Sequence, residues 1–67
     1  MDKRNLNPGR KYLHHRKITI DGRKMEAERW IRCLEITDTG ALFRYEFEIL
    51  ELTNKEIQTE IIREANQ

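Results

Sequence analysis

Asp21-Gly22, set between Ile18-Thr19-Ile20 and Arg23-Lys24-Met25, constrains this chain more than any other pair of residues. Both central positions of a type I′ turn need positive φ, which Asp and Gly tolerate, so the dipeptide predicts a tight hairpin. Pairing Ile20 with Arg23 carries the register outward: Ile18 faces Met25, Lys17 faces Glu26 and His15 faces Glu28. Two cation and carboxylate pairs agree with that one alignment.

A second turn is expected at Thr37-Asp38-Thr39-Gly40, as a three-residue loop with Gly40 in a left-handed bulge position and Thr37 opposite Ala41. Cys33 then faces Tyr45, Ile31 faces Phe47 and Arg32 faces Glu46. The segment Phe43 to Ile49 alternates strictly, the period of a half-buried strand, with Phe43, Tyr45, Phe47 and Ile49 on one face. The two registers put Ile18, Met25, Ala27, Ile31 and Cys33 on that same face. Met25 to Leu34 also fits a helix, with Ala27, Trp30, Ile31 and Leu34 on one side. Strand is preferred there, because hairpin turns flank it and Phe43 to Ile49 needs a partner.

Thr53-Asn54-Lys55-Glu56 is a capping box, with Leu52 and Ile57 placed as a hydrophobic staple. From Asn54 to about Ala65, Ile57, Ile61, Ile62 and Ala65 form one apolar stripe. Residues 1–9 end in Asn7-Pro8-Gly9, a turn cluster with no apolar period. The expected architecture is α+β: a flexible basic arm over 1–9, then a single small β-β-β-α domain over 10–67. That domain is a three-stranded antiparallel meander with one C-terminal helix packed on one face.

The length of 67 residues allows one small core, with room for a binding module and little for an enzyme. No apolar run approaches a membrane span, and no apolar segment follows the basic N-terminus as in a secretory signal. Cys33 is the single cysteine, so an internal disulfide is impossible and the expected compartment is the cytoplasm. The net charge of +1 conceals a bipolar chain. Residues 1–24 carry eight Lys or Arg against two Asp, and residues 25–67 carry five Lys or Arg against ten Asp or Glu.

Catalytic chemistry finds little support. Cys33 with His14 or His15 lacks a third orienting group and an oxyanion turn, so Cys33 is expected in the core and the histidines on exposed strand positions. The same three residues are an incomplete zinc set. Gly9, Gly22 and Gly40 are isolated, each with a turn to explain it, and no phosphate loop or cofactor is expected.

Glu35-Ile36-Thr37-Asp38-Thr39-Gly40 resembles the D-x-S-x-x-G loop of PilZ domains, which bind cyclic di-GMP, with Glu for Asp and Thr for Ser. The paired arginines of that family, R-x-x-x-R, have no counterpart, since no two arginines lie four apart. The three-strand-plus-helix layout is similar to the arm-binding domains of phage and transposon integrases, whose sheet enters the major groove of DNA.

The expected function is that of a small non-enzymatic nucleic-acid-binding accessory or regulatory module, on DNA or RNA. Lys3, Arg4, Arg10, Lys11, Arg16 and Lys17 would neutralise phosphates, and Tyr12 and Trp30 would stack on bases. Glu26, Glu28, Glu46 and Glu48 share the approaching face and oppose that reading. The alternative is a protein-binding or self-associating module that uses the exposed sheet face around Trp30, Arg32, Leu34 and Arg44, where aromatic and Arg residues concentrate binding energy.

Overall fold

A computed structural model describes residues 1–66. Five strands, β1 (Lys11–Ile20), β2 (Arg23–Ile36), β3 (Gly40–Tyr45), β4 (Glu48–Thr53) and β5 (Ile61–Glu64), surround one short helix, α1 (Asn54–Glu60). The sheet is antiparallel with strand order β4-β3-β2-β1-β5. The fold is α+β as expected, with five strands in place of three.

The first hairpin has the expected register, from Ile20 opposite Arg23 through Lys17 opposite Glu26 to His15 opposite Glu28. Asp21 and Gly22 both take positive φ, at 50° and 76°. Met25 to Leu34 is strand, not helix. A hairpin partner on each side, with Trp30 and Ile31 suited to a strand, outweighs its helical spacing.

The second hairpin departs from expectation. Thr37 and Gly40 exchange backbone hydrogen bonds around Asp38-Thr39, and Ile36, not Thr37, faces Ala41. An irregularity between Cys33 and Glu35 then sets Cys33 opposite Phe43 and Arg32 opposite Arg44. Gly40 is not at positive φ. Its requirement is space, since a Cβ there would lie 1.8 Å from the carbonyl oxygen of Leu52 on β4.

The alternating run Phe43 to Ile49 is two strands. Glu46 turns through φ 54°, its carbonyl accepts from Nε of Arg44 at 2.9 Å, and Tyr45 pairs with Glu48. Phe47 at the turn is 94 % exposed, and Ile49 opposite Arg44 is on the outer face, so neither joins the core. Apolar alternation hides this turn, because a two-residue loop reverses the facing of odd-numbered residues, so Ile49 points outward although it keeps the period of Phe43 and Tyr45.

The C-terminal stripe also divides. The capping box forms as expected, with Thr53 Oγ1 accepting from the Glu56 amide and Glu56 Oε1 accepting from the Thr53 amide. The helix stops at Glu60, and Ile61 to Glu64 pair with β1 as β5. Extension there satisfies the otherwise unpaired edge of β1, a larger gain than one more helical turn.

This ending bends the sheet. In a flat sheet β4 and β5 would lie about 19 Å apart, four interstrand spacings. A seven-residue α1 reaches only about 10 Å along its axis. The sheet therefore curls around α1, which packs against β1, β3, β4 and β5.

The enclosed core is Leu6, Tyr12, Ile31, Cys33, Ala41, Phe43, Leu52, Ile57 and Ile61. Tyr12 and Phe43 meet edge to face with centroids 6.4 Å apart. Cys33 is buried and free, as expected, and burial raises its thiol pKa. The face parity of Ile31, Cys33, Phe43 and Tyr45 is the expected one. Ile18, Met25 and Ala27 share it but remain exposed, because β1 and β2 run beyond their neighbours as a two-stranded ribbon.

The N-terminal segment expected as a flexible arm is packed. Lys3–Asn5 form a 3-10 turn capped by Asp2, and Leu6 is 6 % exposed in the core. Gly9 and Arg10 exchange backbone hydrogen bonds with Cys33. Two apolar residues in a polar segment are enough, since Leu6 joins the core and Met1 packs against it, with the Met1 amine donating to the carbonyls of Ile57, Gln58 and Ile61. No helix among the described residues is long and apolar enough to cross a membrane.

Candidate nucleic-acid interface

Residues opposite one another in an antiparallel sheet point to the same face. Lys11 on β1 faces Arg32 on β2, and Arg32 faces Arg44 on β3. Three cations thus cross three adjacent strands in one row, on the outer face, and all three are exposed. Like charges directly opposite one another destabilise a sheet. Among the described residues none of the three has a carboxylate within ion-pair distance.

The arginines are nevertheless held in place. An N–H of Arg32 donates to the carbonyl of Gly9, and Nε of Arg44 donates to the carbonyl of Glu46. Each guanidinium has five N–H donors, so these contacts orient the groups and leave most donors facing solvent.

The neighbouring row is Arg63 on β5, Leu13 on β1 and Trp30 on β2. Trp30 is 41 % exposed, and the guanidinium carbon of Arg63 lies 5.0 Å from its ring centroid. A groove at this edge of the face is lined by Lys11, Trp30, Arg63, Ala65 and Asn66. Further out on the ribbon, Glu28 faces His15 and Glu26 faces Lys17. Of the four carboxylates expected to oppose an anion, Glu26 and Glu28 thus lie toward the ribbon tip, Glu48 is opposite inward-facing Tyr45, and Glu46 stays at the turn beside Arg44. Glu35 and Glu51 share the outer face in the row of Leu42.

The residues expected to contact nucleic acid separate into two sets. Tyr12 is fully buried: its hydroxyl accepts from the Asn7 amide at 2.7 Å and donates to Glu64 at 3.1 Å, and burial raises its pKa. It has no ring face to offer a base. The period of two places Tyr12 inward as firmly as Phe43, a signal overridden by its basic neighbours in sequence.

Arg16 is engaged in the structure, bonding Glu60 and Glu56 at 3.0 Å each. Arg10 lies 3.4 Å from Glu64, and this pairing holds the Glu64 carboxyl below the usual carboxylate range. Arg4 pairs with Asp2, and Lys3 donates to the carbonyls of Thr37 and Asp38 at 2.9 and 3.2 Å. Lys11 and Lys17 are exposed, with no carboxylate within ion-pair distance among the described residues.

Of the expected partner surface, Trp30, Arg32 and Arg44 share a face with Lys11, and Leu34 lies beside them at the β2 irregularity, 37 % exposed. Two groups that the sequence kept apart thus converge. Arg63 went unnoticed, because a helix through residue 65 would have carried it away from Trp30. His14, expected on an exposed position, is 2 % exposed, with Nε2 2.8 Å from Oε1 of Glu60.

Comparison with protein-family models, with curated proteins and with solved structures finds no match.

Proposed function

We propose that this chain is a small nucleic-acid-binding module of an accessory or regulatory kind, acting without catalysis. The observation that carries this reading is the Lys11, Arg32 and Arg44 row beside Trp30. Folding alone gives no reason to set three cations side by side with no carboxylate within ion-pair distance among the described residues, and departures of this kind concentrate at functional sites. A phosphate backbone supplies the missing charge, and its displaced counterions supply a favourable free energy that depends on salt.

The contact surface is the outer sheet face, with the first strand contributing Lys11. Arg10, Arg16 and Lys3 serve the fold through the pairs described above, and the reading does not rest on them. A protein-binding role is the second reading. It draws on Phe47 and Ile49, 94 % and 62 % exposed at the β3–β4 hairpin outside the core.

Fluorescence anisotropy with labelled oligonucleotides across a salt series tests the proposal. Binding should weaken steeply with salt. Replacing Lys11, Arg32 and Arg44 together by Gln should reduce the logarithmic salt slope by about 2. Equal salt slopes for the wild type and this variant would remove the row from the interface.

A further inference from the structure

Resting on that reading, we infer that the outer face binds single-stranded nucleic acid, with one unpaired base stacked on the indole of Trp30 and the flanking phosphates on Lys11, Arg32, Arg44 and Arg63. Three features of the face point to this form of the polymer.

The first is the position of the aromatic ring. Trp30 stands one row from the cations, about 7 Å along β2 from Arg32 by strand rise. That places a π-face and a line of charges within a nucleotide's reach of one another. Proteins that hold single strands combine a basic track with an aromatic platform in this way, because every unpaired base has a π-face to offer. Within a duplex those faces are already stacked on one another and are hidden from a side chain on the outside.

The second is the cation on the ring. Arg63 lies over Trp30 and has no ion pair among the described residues. Its guanidinium covers the indole at the end of a long rotatable stem. When a base takes that place, the same group can turn to the adjacent phosphate in a planar two-bond contact. Asn66 and Ala65 complete the rim of the groove, and Asn66 brings an amide able to hydrogen-bond a base edge.

The third is shape. The cation row spans β1, β2 and β3, and Arg63 extends the charged face to β5, which makes it about 14 Å wide measured along the curved sheet, three interstrand spacings. The major groove of B-DNA is about 12 Å wide and admits a helix or a two-stranded ribbon. The ribbon of this protein is the β1–β2 tip, where the outer-face pairs are His15 with Glu28, Lys17 with Glu26 and Thr19 with Lys24, so two lysines stand against two glutamates. The strongest charge is on the broad part of the sheet, which a flexible single strand can follow and a duplex groove cannot enclose.

Trp30 is the only tryptophan, so its emission reports on this site alone. The test titrates the whole protein with single-stranded oligomers of about 12 nucleotides, DNA and RNA, and with the matching duplexes. The variants are Trp30→Leu, which keeps an apolar side chain, Trp30→Phe, which keeps a ring, and the triple Gln variant of the cation row; circular dichroism confirms that each is folded.

The inference expects single strands to quench Trp30 and to bind at least about tenfold more tightly than the duplexes. It expects Trp30→Leu to lose about tenfold in affinity with the salt slope unchanged, and Trp30→Phe to recover part of it. If duplex binds as tightly, or Trp30→Leu binds like the wild type while the triple Gln variant binds weakly, stacking is overturned and the phosphate-binding reading survives. If no nucleic acid binds even at low salt, both fall.

Discussion

Nε2 of His14 lies 2.8 Å from Oε1 of Glu60, joining the middle of the first strand to the last residue of the helix. The same carboxylate oxygen accepts from Nε of Arg16 at 3.0 Å, and Arg16 reaches on to Glu56. Glu60 is where the chain leaves α1 for β5, so this cluster fastens the turn that closes the sheet. His15 takes no part in the cluster: on the opposite face, it lies 3.7 Å from Glu26 and does not enter the core.

Removing the acceptor should therefore destabilise the fold. Glu60→Ala leaves the buried His14 ring nitrogen without a partner, at a cost of about 1 to 3 kcal/mol. His15→Ala should change stability by less than about 0.5 kcal/mol. Urea denaturation followed by Trp30 emission would compare the two, and equal midpoints would deny the cluster its role.

Acid should loosen the same region. Glu56 is held below the usual glutamate range, first by the hydrogen bond from the Thr53 amide, then by the Thr53 side chain and by Arg16 and His14 nearby. Its folded pKa is depressed, so its contribution is fully present above the unfolded value of about 4.3 and is lost as pH falls through the folded value. Glu64, paired with Arg10, acts in the same direction. Thermal midpoints should lose this contribution as pH drops below about 4.5, and Glu56→Gln should shallow that decline.

Gly40→Ala should be among the most damaging single changes. The new methyl would lie 1.8 Å from a backbone oxygen of β4, a clash that only separation of β3 from β4 relieves. The expected loss is about 3 kcal/mol or more. Gly22→Ala meets no neighbouring atom and is opposed only by φ 76°, so about 1 kcal/mol is expected. A reversed order in denaturant midpoints would contradict the strand contact.

Tyr12→Phe separates fold from function. It removes the hydroxyl that serves the Asn7 amide and Glu64, for a loss of about 1 kcal/mol, and it alters nothing on the outer face. Oligonucleotide affinity should be unchanged under conditions where the variant is folded. A large loss of affinity would place Tyr12 at the interface after all.

Arg32→Glu should move stability and binding in opposite directions. A carboxylate between Lys11 and Arg44 replaces two repulsions by two attractions, worth about 0.2 to 1 kcal/mol each. Measured against Arg32→Gln, which loses the same bond to the Gly9 carbonyl, the thermal midpoint should rise while affinity for single strands falls. An Arg32→Glu variant no more stable than Arg32→Gln would show that the row is not a stored repulsion.

Local chemistry was enough to specify several elements in advance. Asp21-Gly22 determined the first hairpin and the register of every pair along it, and Thr53 with Glu56 determined where the helix begins. The period of two placed Ile31, Cys33 and Phe43 on one face. Each of these rests on residues that touch neighbours in sequence or across one tight turn, so the physics is contained in a short window.

Tertiary structure decided what lay outside such windows. Whether Ile61 to Glu64 continue a helix or extend depends on an open edge of β1 nearly fifty residues away, and no local propensity contains that edge. Closing it curls the sheet, buries His14 and Leu6, and carries Arg63 onto Trp30. The sequence by itself determined the hairpin, the cap and the inward face; the candidate site came only with the fold, because Lys11, Trp30, Arg32, Arg44 and Arg63 lie on four different strands and become neighbours only through pairing between them.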